Sequence, residues 1–493
     1  MTRVRLCALV MVLIVTACSS KTRNSPPDIT DPTVPTLNDW ETTLTWKECD
    51  SGIDCSSLEV PYDYSSPELG TFILPVARHR ATQPASRIGT LLVNPGGPGS
   101  AATDWASYAI QVFSTSIVER FDIVAWDPRG VGGSDPAIDC VDTMDDYFGL
   151  DPSPDNGDEL KSLIEGAKSF ADSCAVRSGD ILAHVGTIDA ARDMDVLRRA
   201  LGEEQISYVG FSYGTKLGAT WATLFPTSVR AAVFDGAVDP ILGYVDDLIV
   251  QAKGFETSLN TFLDQCDVKQ CSFIQVDETA RQAFDRIMLG LDNAPITCCP
   301  TRPPTNQGVA QTGIIATLYG SYRWGELEDA LSAASSSDGQ PLLILFDDYF
   351  GRQNNGFVDN SIDAYIAITC ADRDEQLTPQ DILGLESRLQ NVAPRLGASW
   401  IQEMMICAHW TTPTQGGLSL RADTANRILV VGSIGDAATP LSGTRQMATT
   451  LGHARLVVSQ LEQHTTYGSD PCVTQIVDEY LLTLADGPDL TNC

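Results

Sequence analysis

Positive charge is scarce in this sequence: 32 Lys and Arg stand against 64 Asp and Glu, a net charge of -32 at pH 7 over 493 residues. A surface of that sign repels phosphate backbones and anionic headgroups, which excludes nucleic-acid binding and membrane attachment through a basic patch. Its main effect is to keep the chain soluble. Histidine is also sparse, five scattered residues, and no paired C-x-x-C spacing occurs, so the pattern speaks against a zinc site. There is no internal repeat and no extended low-complexity tract, which excludes solenoids and disordered chains. What remains, 43% hydrophobic and 19% charged residues, is globular composition with enough apolar side chains for a large core.

Long apolar runs are missing too, with one exception. MTRVRLCALVMVLIVTACSS carries Arg3 and Arg5, an apolar run from Leu6 to Val15, and small residues leading to Cys18. The run is too short to span a membrane as a mature helix and reads as a secretion signal. The ending VTAC has the form of a bacterial lipoprotein site. Residues 1–17 are then a signal peptide, Cys18 the acylated N-terminus, and the membrane partner is reached through a lipid anchor, with a plain signal and an incidental cysteine as the alternative. Residues 18–40, rich in Ser, Thr, Pro and Asn, read as a flexible tether. The expected location is the outer face of the cytoplasmic membrane, anchored or shed.

Setting aside Cys7 and Cys18 leaves twelve of 14 cysteines, an even number that favours disulfides in an exported chain. Proximity suggests Cys49 with Cys55, Cys140 with Cys174, Cys370 with Cys407 and Cys472 with Cys493. Cys266, Cys271, Cys298 and Cys299 are expected to pair among themselves.

From Trp46 onward, short apolar runs broken by Pro and Gly read as strands: FILPVARHR, TLLVN, FDIVAW, ISYVG and VRAAVFD. TIDAARDMDVLRRALG has apolar residues at helical spacing and a glycine stop, and FSYGTKLGATWATLFP reads as a helix closed by Pro226. Alternating strand and helix implies an α/β fold with a mostly parallel sheet covered on both faces. The alternation fades over residues 241–400, where helical patterns such as WGELEDALSAA dominate, and returns with RILVVGSIGDAATP and ARLVVSQLEQHTT. The chain therefore divides into a core at 41–240, a mainly helical cap at 241–400, and the rest of the core at 401–493.

YVGFSYGTKLG places Ser212 between two glycines, directly after a predicted strand and before a predicted helix. That context fits a nucleophile elbow, in which the glycines allow a strained turn that pushes the hydroxyl out of the sheet. A serine hydroxyl needs a base, and the base needs a carboxylate to fix its tautomer. Asp436 and His464 each follow a late strand and would reach the same sheet edge; His453 precedes its strand, His409 lies in CAHW, Asp423 precedes its strand and Asp470 follows the histidine. For the oxyanion, the backbone N–H of Tyr213 and one from the NPGGPGS loop are expected, with Gly97 the first choice and Gly96 the second.

CSSLEVPYDY, LLVNPGGPGS, FDIVAWDPRGVGGSD, AARDMDVLRRALG, YVGFSYGTKLGATWATLFP, YIAITCAD and GSIGDAATP followed by QHTTYG together resemble the secreted tripeptidyl aminopeptidases, serine peptidases of the α/β-hydrolase fold related to prolyl iminopeptidase. The resemblance runs from about Trp46 to His464. It implies Ser212 as nucleophile, His464 as base, Asp436 as its partner, and a helical cap restricting access to peptide N-termini, with peptides or proteins as substrates and no cofactor. Two departures stand out: GDAATP replaces a more usual Gly-Asp-Pro pattern, and Thr465 follows the histidine where glycine is common. An aminopeptidase must also recognise a free ammonium, most simply with a cap carboxylate, for which Glu326, Glu328, Asp329, Asp372 and Asp374 are candidates. The alternatives are an esterase or lipase built on the same triad, and a surface binding protein that has kept the shell without the chemistry.

Overall fold

The strands that carry the site are the most apolar of the chain. In the computed structural model, which describes Trp40, residues 42–353 and residues 356–493, the expected signal, Cys18 and the tether before Trp40 lie outside the described residues. Ten strands are named here: β1 (Lys47–Asp50), β2 (Ile53–Pro61), β3 (Thr71–His79), β4 (Gly89–Asn94), β5 (Phe121–Trp126), β6 (Ile206–Phe211), β7 (Val229–Asp235), β8 (Ile428–Ser433), β9 (Ala454–Ser459) and β10 (Leu490–Asn492). They form one sheet in the order β1-β2-β3-β5-β4-β6-β7-β8-β9-β10. β1, β2, β3 and β5 pair antiparallel in succession. From β5 through β4 to β10 every pairing is parallel.

GTLLVN, ISYVGF and ILVVGS are buried at every position, as strands covered on both faces must be. Successive side chains enter opposite cores. Leu92, Val124, Tyr208, Phe234 and Val430 face one core, shared with the helices inserted between β7 and β8. Leu91, Ile123, Val209, Val233 and Val431 face the other, against Val473 and Val477. The fold is that of an α/β-hydrolase, a large, mostly parallel sheet with helices on both faces.

The parallel pairing brings the carboxyl ends of β4, β6, β7, β8 and β9 to one edge. Because β4 lies between β5 and β6, the NPGGPGS loop sits beside the turn that carries Ser212. The insertion between β7 and β8 contains the helices Tyr244–Lys269, Ala280–Asn293, Gln307–Thr317, Trp324–Ser335, Gln340–Tyr349, Ser361–Asp372 and Ala398–Ala408, the last running across residue 400.

Five disulfides close local loops: Cys49–Cys55, Cys140–Cys174, Cys266–Cys271, Cys370–Cys407 and Cys472–Cys493. The four pairs expected from proximity are present. The remaining four cysteines do not all pair as expected. Cys266, in the last turn of its helix, reaches Cys271 through the left-handed Gln270, whereas Cys298 and Cys299 are thiols with their Sγ atoms 2.9 Å apart.

Candidate active site

β6 ends at Phe211 and the next helix is Tyr213–Leu224, so Ser212 alone makes the turn, with φ 55° and ψ -125°. That conformation strains any residue with a Cβ, and it persists only where the surroundings impose it. Here they do. The Ser212 N–H donates to the Asp235 carbonyl at 2.9 Å, and the Thr215 N–H to the Ser212 carbonyl at 2.9 Å. Glycine is required around the turn because a Cβ on Gly210 would stand 2.4 Å from the Gly214 carbonyl oxygen, and one on Gly96 2.4 Å from that of Phe211 and 3.1 Å from the Tyr213 nitrogen.

The glycine loop after β4 thus lies against the elbow. Among the described residues the N–H groups of Gly97 and Tyr213 have no acceptor, and Gly97 and Ser212 line the same cavity. Both are free for a developing oxyanion. Gly96 is not: its N–H donates to Asn94 Oδ1 at 3.0 Å, which removes the second choice as a donor.

His464 follows β9. Its Nδ1 lies 2.9 Å from each Asp436 carboxylate oxygen, which fixes the imidazole orientation and leaves Nε2 for other partners. Thr439 braces the pair: its N–H and hydroxyl donate to the carboxylate at 2.7 and 2.9 Å, and the hydroxyl lies 3.2 Å from Nδ1. From the insertion, the Tyr319 carbonyl accepts the His464 N–H at 2.7 Å, and the Tyr319 ring meets the imidazole edge-on. Burial opposes protonation of His464, yet the Asp436 carboxylate outweighs it and holds the imidazole above its ordinary pKa, with Asp235 acting in the same sense.

The competing residues lie elsewhere. His453 precedes β9 at the opposite edge, where its carbonyl accepts from Ile428. Asp470 caps the helix Pro471–Thr483, Asp423 pairs with Arg421 at the surface, and His409 ends the helix Ala398–Ala408.

A family description of the alpha/beta hydrolase fold matches residues 89–274, and one of TAP-like proteins matches residues 393–493. The chain is 31% identical to serine protease Hip1 of Mycobacterium tuberculosis over 99% of this chain and 95% of that one. It is 30% identical to a tripeptidyl aminopeptidase of Streptomyces coelicolor, covering 89% of this chain and 84% of the relative. The chain belongs to the tripeptidyl aminopeptidase family of α/β-hydrolases. It is also 35% identical to carboxylesterase B of M. tuberculosis, covering 89% of this chain and 86% of the other.

Ser212 opens on two cavities, of about 490 and 200 Å³. Of the acids expected to hold an amine, Glu326 pairs with Arg323 and Glu328 accepts from the Ser272 N–H, while Asp329 is exposed. None of the three lines either cavity. Asp372 does line the smaller one, but it is committed: it pairs with Lys216 at 2.9 Å and accepts from the Thr187 N–H at 2.8 Å, with the Thr187 hydroxyl as a further donor. Asp374 lines the same cavity.

The residue missed on sequence is Glu403. It lines the larger cavity with Ser212 among Tyr319, Tyr349, Tyr365 and Trp400 and accepts a hydrogen bond from the Tyr365 hydroxyl at 2.5 Å. Burial pushes its carboxyl up to about 7, against the pull of that hydrogen bond. A signal was present: Glu403 is the only charged side chain in the apolar helix ASWIQEMMICA.

Proposed function

We propose that this chain is an exported serine exopeptidase that releases short peptides, tripeptides in the simplest reading, from free N-termini. Ser212 attacks the scissile carbonyl while His464 Nε2 takes its proton. The Asp436 carboxylate stabilises the imidazolium that forms, and the N–H groups of Gly97 and Tyr213 receive the oxyanion. His464 then returns the proton to the leaving amine, and water, deprotonated by the same imidazole, releases the acyl group. The cycle uses only side chains, backbone and water.

The observation that carries the exopeptidase reading is Glu403. The cavity shared with the nucleophile is lined by two carboxylates. Asp348 is paired with Arg323 at 2.8 Å, whereas Glu403, among Tyr319, Tyr349, Tyr365 and Trp400, has only the Tyr365 hydroxyl and suits an ammonium, which a chain blocked at its N-terminus cannot supply. The larger cavity, about 490 Å³, then holds the acyl peptide. The same cavity supports a preference for bulky apolar side chains in that peptide, since Phe148, Phe255, Tyr349 and Trp400 line it.

Hydrolysis of a chromogenic tripeptide with a free amine is compared with its N-acetylated twin, with Ser212→Ala as control. Cleavage of only the free form, lost in the variant, supports the proposal. Equal cleavage of both refutes it. A second reading, a carboxylesterase, is favoured by the 35% identity to carboxylesterase B, and preferential hydrolysis of simple esters would select it. Failure of Ser212 to react with a serine-directed phosphonate would revive the silent binding shell.

Export and anchoring through Cys18 belong to the same proposal. Five disulfides among the described residues support an oxidising compartment, and none of the described helices is long and apolar enough to cross a membrane. Cys18→Ser should release the protein from the membrane fraction.

A further inference from the structure

Asp235, the last residue of β7, has no part in the proposed acyl-transfer cycle, yet it is fully buried, at 0% exposure. Three contacts converge on it. Its carbonyl accepts the Ser212 N–H at 2.9 Å, and its Oδ2 accepts the N–H groups of Thr466 and Tyr467 at 2.8 and 2.7 Å. Its Oδ1 has no partner among the described residues, and neither has the nearby Thr466 hydroxyl.

The next residue extends the same junction. The Gly236 N–H donates to the Val431 carbonyl at 3.0 Å, on the strand that leads to Asp436. Gly236 has a φ of +67°, and a Cβ there would stand 3.0 Å from His464 Cε1 and 3.0 Å from Thr465 Cγ2. One dipeptide therefore touches the serine turn, the histidine loop and the strand before the triad acid.

Position alone does not call for an acid. Strand alternation puts residue 235 in the row of Ala231 and Val233, which face the apolar core. A carboxylate there loses its hydration, whereas an asparagine oxygen could accept the same two N–H groups. The charge adds what an amide lacks.

We propose that Asp235 is a positioning residue that holds the Ser212 turn and the His464 loop in one frame, and that its carboxylate joins Asp436 in stabilising the imidazolium formed during acyl transfer. The groups facing His464 are Asp436 and the Thr439 hydroxyl from the loop after β8, Asp235 from β7, and the Tyr319 ring from the insertion. Asp436 and Asp235 are the acids acting on the imidazole, both in the direction of protonation. Burial pushes the Asp235 carboxyl upward, and the N–H groups of Tyr467 and Thr466 oppose that.

The proposal rests on the Ser212, His464 and Asp436 assignment but not on peptide specificity, so the assay is hydrolysis of a simple aryl ester by the full chain. Asp235→Asn keeps an acceptor for the two N–H groups and removes the charge; Asp235→Ser is a second neutral variant. In a variant that keeps its thermal midpoint, the acid limb of kcat/KM is expected to move down by about one pH unit and the plateau kcat to fall about tenfold, with KM unchanged. An acid limb that stays in place, or collapse of both neutral variants, makes Asp235 structural and overturns the proposal. Ser212→Ala runs in parallel: ester hydrolysis that survives it counts against the triad assignment instead.

Discussion

Replacing Glu403 by glutamine separates what this residue does for binding from what it does to stability. Its carboxyl is held near 7 against an ordinary 4.5, so the charged form in the fold is disfavoured by about 3 kcal/mol at pH 8. Between pH 4.5 and 7 the folded chain binds more protons at this site than the unfolded chain does. Stability is therefore lost as pH rises through that window. Glutamine can still accept from the Tyr365 hydroxyl but cannot ionise. Glu403→Gln should raise the thermal midpoint at pH 8 and leave it nearly unchanged at pH 4.5. Activity should move the other way. An ammonium facing an amide in place of a carboxylate loses about 2–3 kcal/mol, which is about a hundredfold in kcat/KM for a free-amine tripeptide. The N-acetylated twin has no ammonium to lose, so its binding as a competitive inhibitor should be unchanged by the substitution. In the parent enzyme, KM for the free-amine peptide should also rise as pH falls through about 7, as Glu403 is neutralised. A folded glutamine variant with an unchanged kcat/KM for the free-amine peptide would refute the assignment of Glu403 to the amine.

Thr439→Val removes the hydroxyl that bridges Asp436 and His464, and kcat should fall about tenfold with little change in KM, the value of one buried hydrogen bond of about 1–1.5 kcal/mol. Gly96→Ala drives a Cβ to 2.4 Å from the Phe211 carbonyl oxygen at the elbow, so phosphonate labelling of Ser212 should drop by orders of magnitude even where the fold survives. Cys298 should alkylate slowly below pH 9, because burial and the neighbouring thiol push it up to about 11, and Cys298 and Cys299 should both be found as free thiols. An intact mass about 2 Da lower, showing the pair oxidised, would contradict the thiol assignment.

Much of the fold follows from local pattern. Buried parallel strands need apolar residues at every position, and GTLLVN, ISYVGF and ILVVGS declare themselves in that way. The triad candidates were legible because a parallel sheet brings every strand's carboxyl end to one edge, so a residue's place after its strand predicts where it goes; that placed Asp436 and His464 together and sent His453 to the far edge. Thr465 was legible only as an oddity. The structure gives its meaning: it has a φ of 59°, a conformation glycine adopts without strain and a β-branched residue does not.

The amine candidates show the limit of that reading. Glu326, Glu328 and Asp329 lie on one helix whose partners at the surface already hold two of them, and Asp372 is bound to Lys216 from another element. Gly96 fails as a donor for a similar reason, a side-chain acceptor two residues away. The sequence by itself determined the alternation of strand and helix, the glycine-flanked turn at Ser212 and the places of Asp436 and His464 after later strands, because each depends on residues a few positions apart. Only the tertiary structure decided which carboxyl faces the cavity, which N–H remains free and that Asp235 joins the serine turn to the histidine loop. Those properties depend on burial and hydrogen-bond partners drawn from distant segments, and no local pattern encodes them.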